Sequence, residues 1–171
     1  MPWHALGMRT RAAGLVALLA LAACTGGGSE DPGPQPEPDE TTDAQCAVRL
    51  PDGVFDTLRW SAPKPAEATV RGCHREAEQG YVEVRDRTGD YAKLCRTLDR
   101  SGGVGPGATA DWLTGVTACV VEPTGDVGQT KVLVKRNHFV TLVTIAVLSS
   151  TPQAQVRAAV QQLLDQGKLV S

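Results

Sequence analysis

Five cysteines, Cys24, Cys46, Cys73, Cys95 and Cys119, hold most of the reactive chemistry of this 171-residue chain. A thiol can be acylated, oxidised to a disulfide, bound to a metal, or used as a nucleophile once ionised. Spacing selects among these uses. Zinc sites draw on close pairs such as CxxC, which is absent here, and cysteines 46 to 119 stand more than 20 residues apart. Thiolate catalysis needs a base nearby. Cys73-His74-Arg75-Glu76 offers one, but a disulfide at Cys73 would remove the nucleophile. His138 falls in or beside a hairpin turn, where a solvated polar residue needs no special cause. Asp86, Asp90 and Asp111 could serve as paired acids only if the fold brings them together. No G-x-S-x-G or H-E-x-x-H occurs. Residues 101–107, SGGVGPG, lack the Lys-Ser/Thr of a phosphate-binding loop and read as a loop after a helix end. Such a loop could form a lip over a binding surface, with Trp112 beyond it as core filler or aromatic contact. No catalytic residue, metal site or cofactor site is expected.

Cys24 stands apart from the other four. It follows Arg9, Arg11 and an apolar run over residues 12–23, the layout of an export signal, for which Met8 fits as the start. That run is well short of the roughly 20 residues a helix needs to span hydrocarbon. Leu21-Ala22-Ala23-Cys24 resembles the lipobox of bacterial prolipoproteins. The resemblance implies cleavage before Cys24 by lipoprotein-processing enzymes and a diacylglyceryl thioether on its sulfur. Two acyl chains would hold the chain stably on the outer face of a cell membrane. Ala20-Leu21-Ala22 also suits the general signal peptidase. Cysteine parity favours lipidation, because giving Cys24 to lipid leaves an even set.

Charge divides the rest. The stretch 24–45 carries Glu30, Asp31, Glu37, Asp39, Glu40 and Asp43 with no base, and proline at 32, 34, 36 and 38. It cannot bury apolar surface and is expected to be a disordered, acidic spacer. Residues 46–171 are near neutral, which gives no electrostatic footprint for nucleic acid.

The elements that must position any site follow from periodicity. A short helix is expected over 52–59, and a hairpin over 69–75 and 81–87 joined through Glu78-Gln79-Gly80. Asp90 should cap a helix running to about residue 100. Runs 116–121, 131–136 and 139–148 predict a meander whose last strand, apolar on both faces, should be central and covered on both sides. Thr151 should cap a closing helix with Pro152 first, Gly167 past its end, and Val156, Ala159, Val160, Leu163 and Leu164 on the sheet. The expected fold is α+β, an antiparallel sheet of about five strands covered by a C-terminal helix and shorter helices.

Three pairings of Cys46, Cys73, Cys95 and Cys119 are open to the sequence. We favour Cys46–Cys73, tying the domain's entry to the first hairpin, and Cys95–Cys119, tying a helix to the neighbouring strand. The whole layout, with a lipobox, an acidic Pro/Gly tether, a cysteine at a short helix and a closing strand–helix unit, resembles small actinobacterial cell-envelope lipoproteins. His74 stands where that group has an aromatic beside the second cysteine. The resemblance implies an α+β domain with no assigned catalytic residues. Three functions are carried forward: a non-catalytic binding or sensing module, a carrier or chaperone for an apolar ligand, and an extracytoplasmic hydrolase. The implied partners are the membrane and an envelope protein or apolar ligand.

Overall fold

A computed structural model describes residues 41–99 and 111–166. Leu21, Ala22, Ala23 and Cys24, the 101–107 loop and Gly167 lie outside the described residues. Six strands form one antiparallel sheet: β1 Glu67–Thr69, β2 Gly72–Ala77, β3 Gly80–Arg87, β4 Thr117–Val121, β5 Gly128–Arg136 and β6 Phe139–Val147. Their spatial order is β1-β2-β3-β6-β5-β4. Four helices complete the fold: α1 Asp43–Arg49, α2 Asp52–Leu58, α3 Tyr91–Asp99 and α4 Gln153–Asp165. The α+β class and both favoured disulfides, Cys46–Cys73 and Cys95–Cys119, are present.

The strand count is one higher than expected because residues 69–75 are not one strand. Val70 and Arg71 form a tight turn, so Thr69 pairs back with Gly72. A second correction falls at the domain's entry. The acidic spacer was expected to run to Gln45, yet α1 begins at Asp43. Thr42 accepts from the Gln45 amide while the Gln45 side chain accepts from the Thr42 amide. That reciprocal cap satisfies two of the first turn's orphan donors and starts a helix that propensity alone would not. Thr151 also differs from expectation. It caps no helix; its hydroxyl accepts from Trp60 Nε1 at 2.9 Å and so joins the end of α2 to the start of α4.

The sheet has unequal cover on its two faces. One face carries α1, α2 and α4 over Val82, Val84, Val132, Val134, Val143, Ile145 and Val147. The predicted stripe of α4, Val156 to Leu164, is buried there. Each such side chain contributes about 1.5–3 kcal/mol. Among the described residues the opposite face carries α3 alone, whose Cys95 packs with Leu133 and Val140. Asp90 Oδ1 accepts from the Lys93 amide at 2.8 Å, the cap expected for α3. β6 sits at the junction of both layers, which explains its apolar residues on both faces.

Arg75 is the polar centre of the thick layer. Its guanidinium donates to the carbonyls of Leu50 and Lys64 and to Asp52, and lies 4.8 Å from the Phe55 ring centre. One side chain thus fixes the α1–α2 junction and the loop after α2 to β2. Far from it, Glu122 takes a two-pronged bond from Arg157 of α4 at 2.8 and 2.7 Å and another from Gln153. Burial pushes the Glu122 carboxyl up, but the hydrogen bonds from Arg157 and Gln153 outweigh it and hold it below its ordinary value.

Arg75→Ala would strand the buried Leu50 carbonyl and remove the bonds to the part-buried Lys64 carbonyl and to Asp52, so urea unfolding should show a loss of about 3 kcal/mol. A loss below about 1 kcal/mol would contradict this role for the guanidinium. A lowered carboxyl stabilises above its ordinary pKa, 4.5 for Glu122, and that gain disappears as pH falls through the depressed value. The urea midpoints of wild type and Glu122→Gln should therefore differ at neutral pH and converge in acid. A constant gap at all pH values would contradict this linkage.

Candidate functional site

Alternation along β3 separates its side chains by face. Val82 and Val84 enter the thick layer, while Tyr81, Glu83, Arg85 and Arg87 occupy the other face. Over β1, β2 and the adjoining part of β3 no helix among the described residues packs on that second face, and its residues are polar or charged. One polar cluster lies on that face around His74; a second, at the opposite end of β2 and β3, gathers residues from both faces.

The first cluster surrounds His74. Its ring lies 5.0 Å from the Tyr81 ring, and Nε2 is 3.3 Å from Glu76 Oε1. Lys64 Nζ meets the other Glu76 oxygen at 2.7 Å. The hydrogen bond from Lys64, with a second from His74, holds the Glu76 carboxyl below its ordinary range. A carboxylate held ionised in this way is a weak proton acceptor. Cys73 is bonded to Cys46, so the Cys-His-Arg-Glu run has no free thiol. The three candidate acids have separate duties. Asp86 pairs with Arg49, Asp90 caps α3, and Asp111 is exposed on the turn before β4. His138 is exposed on the turn between β5 and β6, next to Asn137 with φ 54°. Among the described residues, no group of three or more His, Cys, Asp or Glu is placed to hold a metal ion.

The second cluster lies at the opposite end of the same strands. A cleft of about 390 Å³ is lined by Thr69, Val70, Arg71, Arg85, Asp86, Arg87 and Thr88. Backbone geometry builds it. The Asp86 amide donates to the Arg71 carbonyl at 2.8 Å, which pins the β1–β2 turn against the end of β3. Gly72 stands between Thr69 and Arg85 in register; a Cβ there would meet the Val84 carbonyl, so only glycine allows the approach of β2 to β3.

The charges of this cleft do not cancel. Asp86 is neutralised by Arg49, which donates to both its oxygens at 3.0 and 2.8 Å, and Thr141 donates to it as well. Arg85 pairs with Glu83 at 2.7 Å but keeps about half its side chain exposed. Arg71 donates to Thr88 at 3.4 Å, and Arg87 has no ion-pair partner among the described residues. Guanidinium forks and threonine hydroxyls suit a phosphate or carboxylate.

Arg87 also borders a second, smaller cleft of about 230 Å³ between α3 and the sheet. Leu94, Leu98, Leu133 and Leu142 make it apolar, with Thr97, Lys131 and Arg87 around them. Trp112, left open between core and contact, packs partly buried against the thick layer with Arg157 over its ring at 5.6 Å. Sequence reasoning missed the arginine cleft. Arg85 and Arg87 share a strand face by simple alternation, and that signal was visible; the turn that brings Arg71 beside them was not. No family model, curated protein or solved structure matches the chain.

The wall of the smaller cleft depends on Cys95–Cys119, whose partner strand β4 lies at the sheet's edge. Replacing both cysteines with Ala should cost about 3 kcal/mol. Hydrogen exchange should then quicken first in the amides of α3, with β6 still protected. Equal quickening throughout would show that α3 is no separate unit.

Proposed function

We propose that this chain is a lipoprotein held by lipid on Cys24 at the outer face of the cell membrane, with a folded domain that is a non-catalytic binding module. Its binding surface is the arginine cleft, and its ligand is an anionic group. The observation that carries the site is the convergence of Arg71, Arg85 and Arg87 on one cleft whose acid, Asp86, is already neutralised by Arg49. Arg85 is paired with Glu83, but Arg71 and Arg87 have no carboxylate partner among the described residues, and an anion would supply one. The anchor is supported by Leu21-Ala22-Ala23-Cys24 and by parity, since the other four cysteines pair among themselves. Among the described residues, no helix is long and apolar enough to cross a membrane.

The absence of catalysis is supported by the bonded Cys73 and by Glu76, held ionised by Lys64 and His74. Lipoprotein-processing enzymes and a neighbouring envelope component are the implied partners. A carrier for an apolar ligand is the second reading, favoured by the leucine-lined cleft under α3. The layer between sheet and α4 gives it no support, since Val156, Ala159 and Val160 are fully buried there.

Two measurements test the proposal together. Replacing Cys24 with Ala should move the protein from salt-washed membranes to the soluble fraction; retention on washed membranes would contradict the anchor. Titration calorimetry with inorganic phosphate should show binding that Arg71→Ala and Arg87→Ala each weaken about tenfold, the size of one charge-assisted hydrogen bond. Binding untouched by either change would contradict the cleft as the site.

A further inference from the structure

We propose that the arginine-rich end of the sheet docks on anionic phospholipid headgroups, with Val70 entering the interface as an apolar pin. This deepens the reading of the arginine cleft as an anion site and rests on it. Val70 is 99% exposed at the tip of the β1–β2 turn. A lone exposed valine signifies little. This one stands on the lip of the cleft with Arg71 beside it in the turn and Arg85 and Arg87 behind it. Turn positions are usually filled by Gly, Asn, Asp or Pro, and neither packing nor turn geometry accounts for Val here. An apolar tip among guanidinium groups matches a bilayer surface. The arginines meet phosphates while the short aliphatic group reaches the acyl boundary.

The point of chain entry fits the same orientation. Asp43, the first residue of α1, accepts from the Ala68 amide at 2.7 Å, so the chain enters the domain beside β1, next to the Val70 turn. The residue that Asp43 contacts thus lies two positions along the chain from Val70. With Cys24 already in the membrane, docking is an intramolecular step at an effective concentration near millimolar. A weak surface is then sufficient. Soluble phosphate shares the headgroup's chemistry, but it has nothing to offer Val70.

The test uses the chain from residue 24 onward carrying Cys24→Ala, so that no acyl group contributes. Co-sedimentation would be measured with phosphatidylcholine vesicles, with and without phosphatidylglycerol. Binding should require phosphatidylglycerol and fall as salt rises. Arg71→Ala and Arg87→Ala should each weaken it about fivefold. Val70→Ser should weaken it at every salt concentration. Lys64→Ala, which removes one positive charge at the other end of β2, should change nothing. Equal weakening by Lys64→Ala, or indifference to Val70→Ser, would overturn the docking geometry. Failure to bind vesicles while phosphate still binds the cleft would overturn membrane docking and leave the cleft as a soluble-anion site. Failure of both would overturn the anion site as well.

Discussion

A sheet has two faces, and the helices among the described residues cover one of them with a continuous layer and the other only in part. Everything distinctive in the structure follows from that constraint. α1, α2 and α4 fill one side with a continuous apolar layer. On the other side α3 reaches only the region of Leu133, Val140 and Cys119. The remaining surface, over β1 to β3, meets water and must be built from side chains that tolerate it. Nature of residue and position of helix therefore agree: β6 is apolar on both faces, whereas β3 alternates valines with Tyr81, Glu83, Arg85 and Arg87. Among the described residues no helix packs over Arg85 and Arg87 on β3, which leaves the arginine cleft open on that side.

The two disulfides divide along the same line. Cys46–Cys73 joins α1 to β2 within the thick layer, and Cys95–Cys119 joins α3 to β4 on the thin side. Each closes a helix onto a strand across a short loop, a constraint of about 3 kcal/mol in chain-entropy terms. The thick layer has further ties. Arg75 gathers two carbonyls and Asp52, Trp60 reaches Thr151, and Glu122 holds Arg157. Among the described residues the satellite cluster under α3 has three buried members, so its covalent link carries proportionately more of its stability. Rigid support on one side and light cover on the other is an arrangement suited to presenting a surface.

Long, strongly periodic segments were legible in the sequence. The double-sided apolarity of 139–147 marked a central strand, and the 156–164 stripe marked the face of α4. Cysteine parity marked the four staple residues and left three pairings open; the favoured one, between elements expected to lie adjacent, is the one present. Short-range events were not legible. α1 hides in an acidic stretch because its start depends on one reciprocal cap between Thr42 and Gln45. The strand expected over 69–75 joins Thr69 of β1 to β2 because Val70-Arg71 lacks the glycine or asparagine that usually marks a tight turn. Thr151 has the composition of a helix cap, but the indole of Trp60 claims its hydroxyl. The cleft shares this origin. Arg71 reaches Arg85 and Arg87 only through that unmarked turn, so a reading that missed the turn missed the site.

The place where an anionic lipid meets the domain can be mapped residue by residue. Backbone amide shifts would be followed while a short-chain phosphatidylglycerol is added below its micelle concentration. The largest changes should fall on residues 69–72 and 85–88, with smaller ones on α3 beside Leu94 and Leu98. Changes centred instead on His74 and Tyr81, or on the outer side of α4, would contradict the assignment of the arginine end as the binding surface.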